Sequence, residues 1–167
     1  VRSEKSIKNC VNRVIKKFGK IDVLINNAGT ITFHDLIDES MEDIDAQIET
    51  NFTGLVKTTR LCLPHMLKQK EALIIQIASA SSKTNHAGMA IYCGTKYAVR
   101  GFTESFALEL PSHVRTYCLN PGLTKTRNTN YEGVDPEQVA RVVKAVIDEK
   151  YKKRSGDSID VWEHMNE

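Results

Sequence analysis

Hydrophobic residues along the chain follow two spacings, one typical of amphipathic helices and one typical of buried strands. Apolar positions three and four residues apart predict a first helix that ends at Gly19; they are Ile7, Cys10, Val11, Val14, Ile15 and Phe18. A short and mostly apolar run follows at 21–25. Such a run is typical of a strand that is buried on both faces of a parallel sheet. The chain therefore opens with a predicted helix and a predicted strand.

The same alternation continues to the end of the chain. A long helix is predicted over 40–69, where Ser40 and Asp43 resemble a capping box and Pro64 should kink or interrupt the helix. Strands are then predicted at 73–77, 114–119 and 158–162, and helices at 91–110 and from Asp135 to Ile147. This order predicts one α/β domain over 1–167, with a Rossmann-like, doubly wound parallel sheet. Ligands bind beyond the carboxyl ends of the strands in such sheets.

Composition narrows the classes of function. The chain is 41% hydrophobic and 26% charged with a net charge of +2, which argues against nucleic acid or an anionic membrane as its main partner. No apolar run approaches the roughly 20 residues that span a bilayer. The four cysteines form no CxxC pair and the five histidines lack metal-ligand spacing. We therefore expect a cytoplasmic protein without disulfides or a metal site.

Two residues at the start of the predicted helix 91–110 are candidates for proton transfer. Tyr92 and Lys96 are four residues apart and thus lie on one helix face. An ammonium beside a phenol stabilises the phenolate and lowers its pKa from the usual value near 10. The pair could therefore serve as an acid and base near neutral pH. The alternative is an ordinary pair on a helix surface.

A serine after the second predicted strand strengthens this interpretation. Ser79 follows the strand 73–77 and precedes Tyr92 by 13 residues. A loop of that length can bring both hydroxyls to one oxygen atom, which Ser79 would polarise while Tyr92 protonates it. The alternative is that Ser79 only forms a turn, as we expect of Ser81 and Ser82.

Taken together, these residues resemble the short-chain dehydrogenase/reductase family over nearly the whole chain. Five motifs occur in the family's order: Asn26-Asn27-Ala28-Gly29, Asn51-Phe52-Thr53-Gly54, Leu63-Pro64-His65-Met66, Ser79 with Tyr92 and Lys96, and Pro121-Gly122 followed by Thr126. The resemblance implies an NAD(P)-dependent oxidoreductase that moves a hydride between nicotinamide and a small carbonyl or alcohol substrate. It leaves the choice between NAD and NADP, the substrate and the reaction direction open.

The resemblance also implies a role for each matching residue. Tyr92 is the acid and base, Ser79 orients the substrate oxygen, and Lys96 lowers the Tyr92 pKa and holds the nicotinamide ribose. Asn51 keeps a water that links Lys96 to solvent. The implied cofactor-binding residues are Asn26, Ala28, Gly29, Tyr92, Lys96, Pro121, Gly122, Thr124 and Thr126. Simpler roles are the alternatives. Gly29 could be present only because its position requires a positive φ, Asn51 could form a hydrogen bond to the backbone of its own helix, and Pro121-Gly122 could form only a turn.

The chain departs from the family pattern at its beginning. No Gly-x-x-x-Gly-x-Gly segment occurs, and only about twenty residues precede Asn26, where a full member carries three further strands. We therefore expect the C-terminal two-thirds of a family member, with a sheet that lacks its first three strands. The strand 21–25 would then be an open apolar edge. Without the phosphate-binding turn, the isolated chain should bind cofactor weakly and be nearly inactive.

Two further expectations concern partners. The loop 125–134 is short, so the substrate pocket should be open, and Tyr131 or His86 could line it. The helices at 40–69 and 91–110 match the helices that pair in family dimers, which implies a homodimer or homotetramer. A chain that serves only as a helical association module is the alternative to an enzyme. A nucleotide-binding regulator is disfavoured by the missing glycine-rich turn.

Overall fold

The computed structural model describes residues 1–165 and contains a four-stranded parallel sheet flanked by helices. The strands are hydrogen-bonded in the order β1-β2-β3-β4, and every neighbouring pair is parallel. The elements are α1 Glu4–Phe18, β1 Val23–Asn26, α2 Met41–Ile48, α3 Gly54–Met66, β2 Ala72–Ile77, α4 Ala90–Ala107, β3 Val114–Asn120, α5 Pro136–Ile147 and β4 Ser158–Asp160. The predicted α/β class and the parallel sheet are confirmed.

Capping residues explain where several helices begin and end. The Ser40 side chain accepts a hydrogen bond from the backbone N–H of Asp43 at the start of α2. Asp135 caps α5 in the same way, with Pro136 in the first helical position. Gly19 ends α1 in the left-handed conformation, with φ of 76°. Each of these boundaries agrees with the sequence-based prediction.

The sheet is covered by helices on both faces, as expected. On one face, α1 and α3 pack against Ile74 and Val114, around the fully buried Met66. On the other face, α5 packs against Ile75 and Leu119. The fully buried positions concentrate on β2 and β3, the two central strands. These strands therefore form a rigid support for the loops at their carboxyl ends.

The first strand differs from its prediction in position and burial. It spans Val23–Asn26 rather than 21–25, and Val23 and Ile25 remain 37% and 43% exposed. The prediction of a strand buried on both faces is wrong here, because α5 covers the β2 and β3 part of that face and leaves β1 largely bare. β1 is hydrogen-bonded to β2 alone among the described strands. The expected open edge is thus present.

The predicted helix 40–69 is interrupted, but not at its proline. α2 passes into a π-helical turn at Glu49–Thr53, and α3 then runs through Pro64 to Met66. Pro64 removes only one N–H near the end of α3, so the helix continues.

The last strand also ends earlier than predicted, at Asp160, because Val161–Glu163 forms a 3-10 helix. None of the helices within residues 1–165 has the length and apolarity needed to cross a membrane.

Candidate active site

A cleft of about 880 Å³ lies at the carboxyl ends of the strands. Residues that follow three different strands line it: Gly29 after β1, Ser79 after β2 and Gly122 after β3. The parallel arrangement of the strands brings these three segments together, since all of the carboxyl ends lie at one edge of the sheet. The cleft is therefore where the topology predicts a ligand site.

The Ser79 and Tyr92 side chains both line this cleft, and Ser79 is close enough to lower the pKa of the phenol. Ser79 has extended backbone angles directly after β2, and its Oγ accepts a hydrogen bond of 3.1 Å from the N–H of Ser81. Tyr92 lies in the first turn of α4. Ser79 thus caps a short 3-10 turn at Ala80–Ser82 and also lines the cleft beside Tyr92. A turn-forming role and a role beside the phenol are therefore compatible.

Lys96 lies beneath the same cleft with almost no access to solvent. The residue is 4% exposed, and its Nζ donates a hydrogen bond of 3.1 Å to the carbonyl oxygen of Ile77. Nζ is 5.5 Å from the centroid of the Tyr92 ring. Burial disfavours the charged ammonium and lowers the pKa of Lys96 from 10.5 to about 8. Lys96 therefore remains a cation at neutral pH, close to its titration range.

The pKa of Tyr92 is raised, which corrects one expectation. Burial of the phenol raises this pKa, and the hydrogen bond with Ser79 lowers it only in part. The expected lowering by Lys96 is not found, because burial dominates and the ammonium points to the Ile77 carbonyl. Tyr92 is accordingly a protonated phenol at neutral pH, which suits it to donate a proton.

The amide of Asn51 clamps the loop that follows β1. Its Oδ1 accepts a hydrogen bond of 2.8 Å from the N–H of Thr30, and its Nδ2 donates to the Thr30 carbonyl at 2.9 Å and to Thr95 Oγ1 at 3.1 Å. The alternative that Asn51 bonds backbone within its own helix is wrong. Asn51 is 1% exposed, so both backbone groups of Thr30 depend on this amide.

Gly29 leaves space beside the lysine ammonium. It is not among the glycines with positive φ, so the alternative role in a left-handed turn is wrong. A Cβ at this position would lie 3.7 Å from Lys96 Nζ and 3.6 Å from Asn51 Oδ1. The absence of this atom keeps a path open from the cleft to the ammonium. The residues here thus fit the hydroxyl of a cofactor ribose.

Other proposed cofactor residues fall into two groups. Pro121, Gly122, Thr124 and Thr126 line the cleft together with Tyr92, Lys96 and Gly29. Two others do not, Asn26 and Ala28. Asn26 turns inward, where its Nδ2 donates to Thr59 Oγ1 at 2.9 Å and to Gln76 Oε1 at 2.8 Å. The structure thus gives Asn26 a buried bracing role between β1, β2 and α3, and leaves Ala28 exposed outside the cleft.

The loop after β3 is fixed by backbone contacts that the sequence did not reveal. The N–H of Ala80 donates to the Pro121 carbonyl at 2.8 Å, which joins this loop to the one that carries Ser79. Pro121-Gly122 is therefore more than an isolated turn. Gly133 has φ of 105°, and a Cβ there would lie 2.2 Å from the Leu123 carbonyl oxygen. Only glycine allows these two segments to approach so closely.

The cleft wall includes one of the two pocket residues that we expected. His86 lines the cleft, whereas Tyr131 does not and is 70% exposed. The sequence did not indicate several apolar lining residues, among them Phe33, Met89 and Leu123. Phe33 and Leu123 lie beyond the ends of β1 and β3, so their position after a strand was the available signal. Among the described residues, no group of three or more His, Cys, Asp or Glu side chains could hold a metal ion.

Comparison with known proteins finds a matching family and related sequences. The family model described as short chain dehydrogenase matches residues 1–137. An oxidoreductase from Staphylococcus saprophyticus is 35% identical over 150 residues, which cover 79% of this chain and 61% of that protein. The NADPH-dependent pterin aldehyde reductase of Arabidopsis thaliana is 33% identical over 127 residues, or 75% of this chain and 52% of the relative. The chain thus spans between half and about three-fifths of these relatives.

Solved structures show the same fold. The ligand-free aldohexose dehydrogenase of Thermoplasma acidophilum aligns with a TM-score of 0.88 and 20% identity, over 96% of this chain and 73% of that one. An alcohol dehydrogenase from Thermococcus sibiricus, complexed with 5-hydroxy-NADP, aligns with a TM-score of 0.85 and 24% identity, over 95% and 70% of the two chains.

Proposed function

The chain belongs to the short-chain dehydrogenase family, and on this premise we propose that it transfers a hydride between a nicotinamide cofactor and a carbonyl or alcohol. The observation that carries the proposal is that Ser79, Tyr92 and the buried Lys96 line the same cleft. The alcohol, the phenol and the ammonium all come from the connection between β2 and β3, which brings them to one cleft. A fold without acid-base chemistry does not need this combination.

Tyr92 serves as the proton donor when a carbonyl is reduced. Its raised pKa keeps the phenol protonated, and the residue lines the cleft. Ser79 Oγ already accepts a hydrogen bond from the Ser81 N–H, so its own proton is directed to the substrate oxygen or to Tyr92. Bound NADH or NADPH supplies the hydride. In the direction of alcohol oxidation, Tyr92 takes the hydroxyl proton instead.

Lys96 returns a proton towards Tyr92 after the phenol has given up its own. The ammonium is buried and lies 5.5 Å from the centroid of the Tyr92 ring. Its pKa of about 8 permits proton exchange near neutral pH. The open path beside Gly29 gives a ribose hydroxyl access to the ammonium. Asn51 fixes this path by holding Thr30, and we place the water of the proton path between Asn51 and Lys96.

Deuterium transfer provides a sensitive test, because it detects slow turnover. The chain is incubated with NADH or NADPH deuterated at the transferable position, together with a panel of ketones and aldehydes, and the alcohols are analysed by mass spectrometry. Tyr92→Phe should reduce transfer by about 10²- to 10⁴-fold, the usual contribution of a general acid. Tyr97→Phe is the matched control, since Tyr97 lies on the same helix and is 39% exposed.

Two results would reject the proposal. One is the absence of deuterated alcohol from every substrate at millimolar cofactor, while the chain is folded by circular dichroism. The other is equal transfer by the wild type and Tyr92→Phe, which would show that the phenol takes no part.

The second candidate function is an association module formed by the helices in 40–69 and 91–110. Exposed apolar side chains on α2 favour it. Met41 and Ile48 on α2 are 72% and 41% exposed. We propose that these helices pair two copies of the chain in the cytoplasm, where the four free cysteines stay reduced. Sedimentation velocity of wild type and Met41→Asp tests this pairing. A dimer without any deuterium transfer would leave association as the function.

A further inference from the structure

We propose that the substrate is an uncharged and largely apolar ketone or aldehyde, or the corresponding alcohol, and that Phe33, Met89 and Leu123 hold its apolar part. This inference rests on the proposed function and adds the class of substrate. Its basis is the chemistry of the side chains that surround the Ser79–Tyr92 pair.

Within residues 1–165, the cleft lining contains a single lysine and no aspartate, glutamate or arginine. That lysine, Lys96, is 4% exposed and donates to the Ile77 carbonyl. It therefore lies too deep to pair with a carboxylate or phosphate in the outer part of the cleft. A substrate charge placed against the apolar side chains there would lose part of its hydration without gaining a charged partner, which is unfavourable. The charged side chains of the cleft lining therefore disfavour the binding of anionic substrates.

The apolar side chains come from three loops that the backbone holds together. The N–H of His34 donates to the Gly88 carbonyl at 3.0 Å, which joins the loop of Phe33 to the loop of Met89. The backbone at Leu123 is held by a hydrogen bond across its loop, because the N–H of Val134 donates to the Leu123 carbonyl at 2.9 Å. All three side chains line the cleft that contains Tyr92.

These side chains are available to a ligand. Phe33 is 56% exposed and Leu123 is 57% exposed, so neither is occupied in packing the core. A ligand that covered them would gain the free energy of burying apolar surface. His86, which also lines the cleft, offers a polar contact at this wall. A mainly apolar carbonyl compound therefore matches both the surface and the charge of the cleft.

Two ketones of matched shape test the inference. One is 4-phenyl-2-butanone, which is neutral, and the other is 4-(3-oxobutyl)benzoate, which adds a carboxylate at the far end. Binding to the chain is measured by saturation-transfer NMR with and without NADPH. The neutral ketone should bind about tenfold or more tightly than its carboxylate partner, because an unpaired buried charge is costly.

A change of charge at Leu123 supplies a readout that structural damage would not produce. Leu123→Lys should strengthen binding of the carboxylate ketone by about two- to fivefold, the range for a partly exposed ion pair. Phe33→Asp should weaken binding of the neutral ketone. Ile37→Asp is its control, because Ile37 lies in the same loop, is 92% exposed and is outside the cleft lining.

The outcomes separate this inference from the proposed function. Equal or tighter binding of the carboxylate ketone by the wild type would overturn the inference, as would variants at 33 and 123 that bind like the Ile37→Asp control. Binding of the neutral ketone at this wall without deuterium transfer would support the inference and reject hydride transfer. Deuterium transfer to the carboxylate ketone alone would do the reverse.

Discussion

Replacing Lys96 with methionine should stabilise the folded chain while it removes the cation of the candidate site. Methionine keeps the length and the apolar stem of the lysine but carries no charge. Lys96 is 4% exposed, so its ammonium is desolvated when the chain folds. The substitution therefore separates the contribution of this residue to chemistry from its effect on stability.

The magnitude follows from the pKa. The fall of the Lys96 pKa from 10.5 to about 8 on folding means that keeping the residue charged at pH 7 lowers the free energy of unfolding by about 3 kcal/mol. Loss of the hydrogen bond to the Ile77 carbonyl offsets this gain by about 1 kcal/mol. Lys96→Met should thus raise the free energy of unfolding at pH 7 by about 2 kcal/mol.

The pH dependence gives a sharper signature than the value at one pH. The folded pKa lies below the unfolded one, so the penalty is fully present below pH 8 and fades as the pH rises towards 10.5. The advantage of Lys96→Met over the wild type should therefore shrink across this range. Urea denaturation of both proteins at pH 7 and at pH 10 measures the change.

A surface lysine provides the control. Lys8 is exposed on α1, and Lys8→Met should change the free energy of unfolding by no more than about 0.5 kcal/mol. If Lys96→Met destabilised the chain at pH 7, or if its difference from the wild type did not depend on pH, the assigned burial of a charged lysine would be refuted.

Two other changes test the framework of the site. Asn51→Ala removes the hydrogen-bond partner of both Thr30 backbone groups and should lower the free energy of unfolding, measured by urea denaturation, by about 2 kcal/mol or more. Asn128→Ala, on an exposed loop, is the control. An unchanged denaturation midpoint for Asn51→Ala would contradict the proposed clamp. Gly133→Ala places a Cβ against the Leu123 carbonyl and should cost more than about 1 kcal/mol by the same assay. Gly101→Ala is the control, because Gly101 has open space around it in α4, and it should raise the free energy of unfolding by about 0.5–1 kcal/mol. Similar effects of Gly133→Ala and Gly101→Ala would contradict the crowding at Gly133.

The sequence predicted those parts of the fold that depend on local pattern. Ser40, Gly19 and Asp135 mark helix boundaries through their own side chains or backbone freedom, so their positions could be inferred directly. The apolar pattern likewise located β2 and β3, because both strands are buried along almost their whole length.

Other features depend on contacts between distant segments. The exposure of Val23 and Ile25 depends on how far α5 extends across the sheet, and no local sequence pattern indicates that extent. The pKa of Tyr92 could not be given the right direction either, because burial and the orientation of Lys96 towards Ile77 decide it. The inward turn of Asn26 likewise requires knowledge of Gln76, fifty residues further along the chain.

The most direct test is a crystal structure of the chain with NADP⁺ and an uncharged ketone, a pair that cannot transfer hydride. We predict that the ketone oxygen lies within about 3.2 Å of both the Ser79 and the Tyr92 hydroxyl oxygens, with Lys96 behind the phenol. A ketone bound elsewhere, or hydroxyls of residues 79 and 92 directed to separate surfaces, would contradict the proposed site.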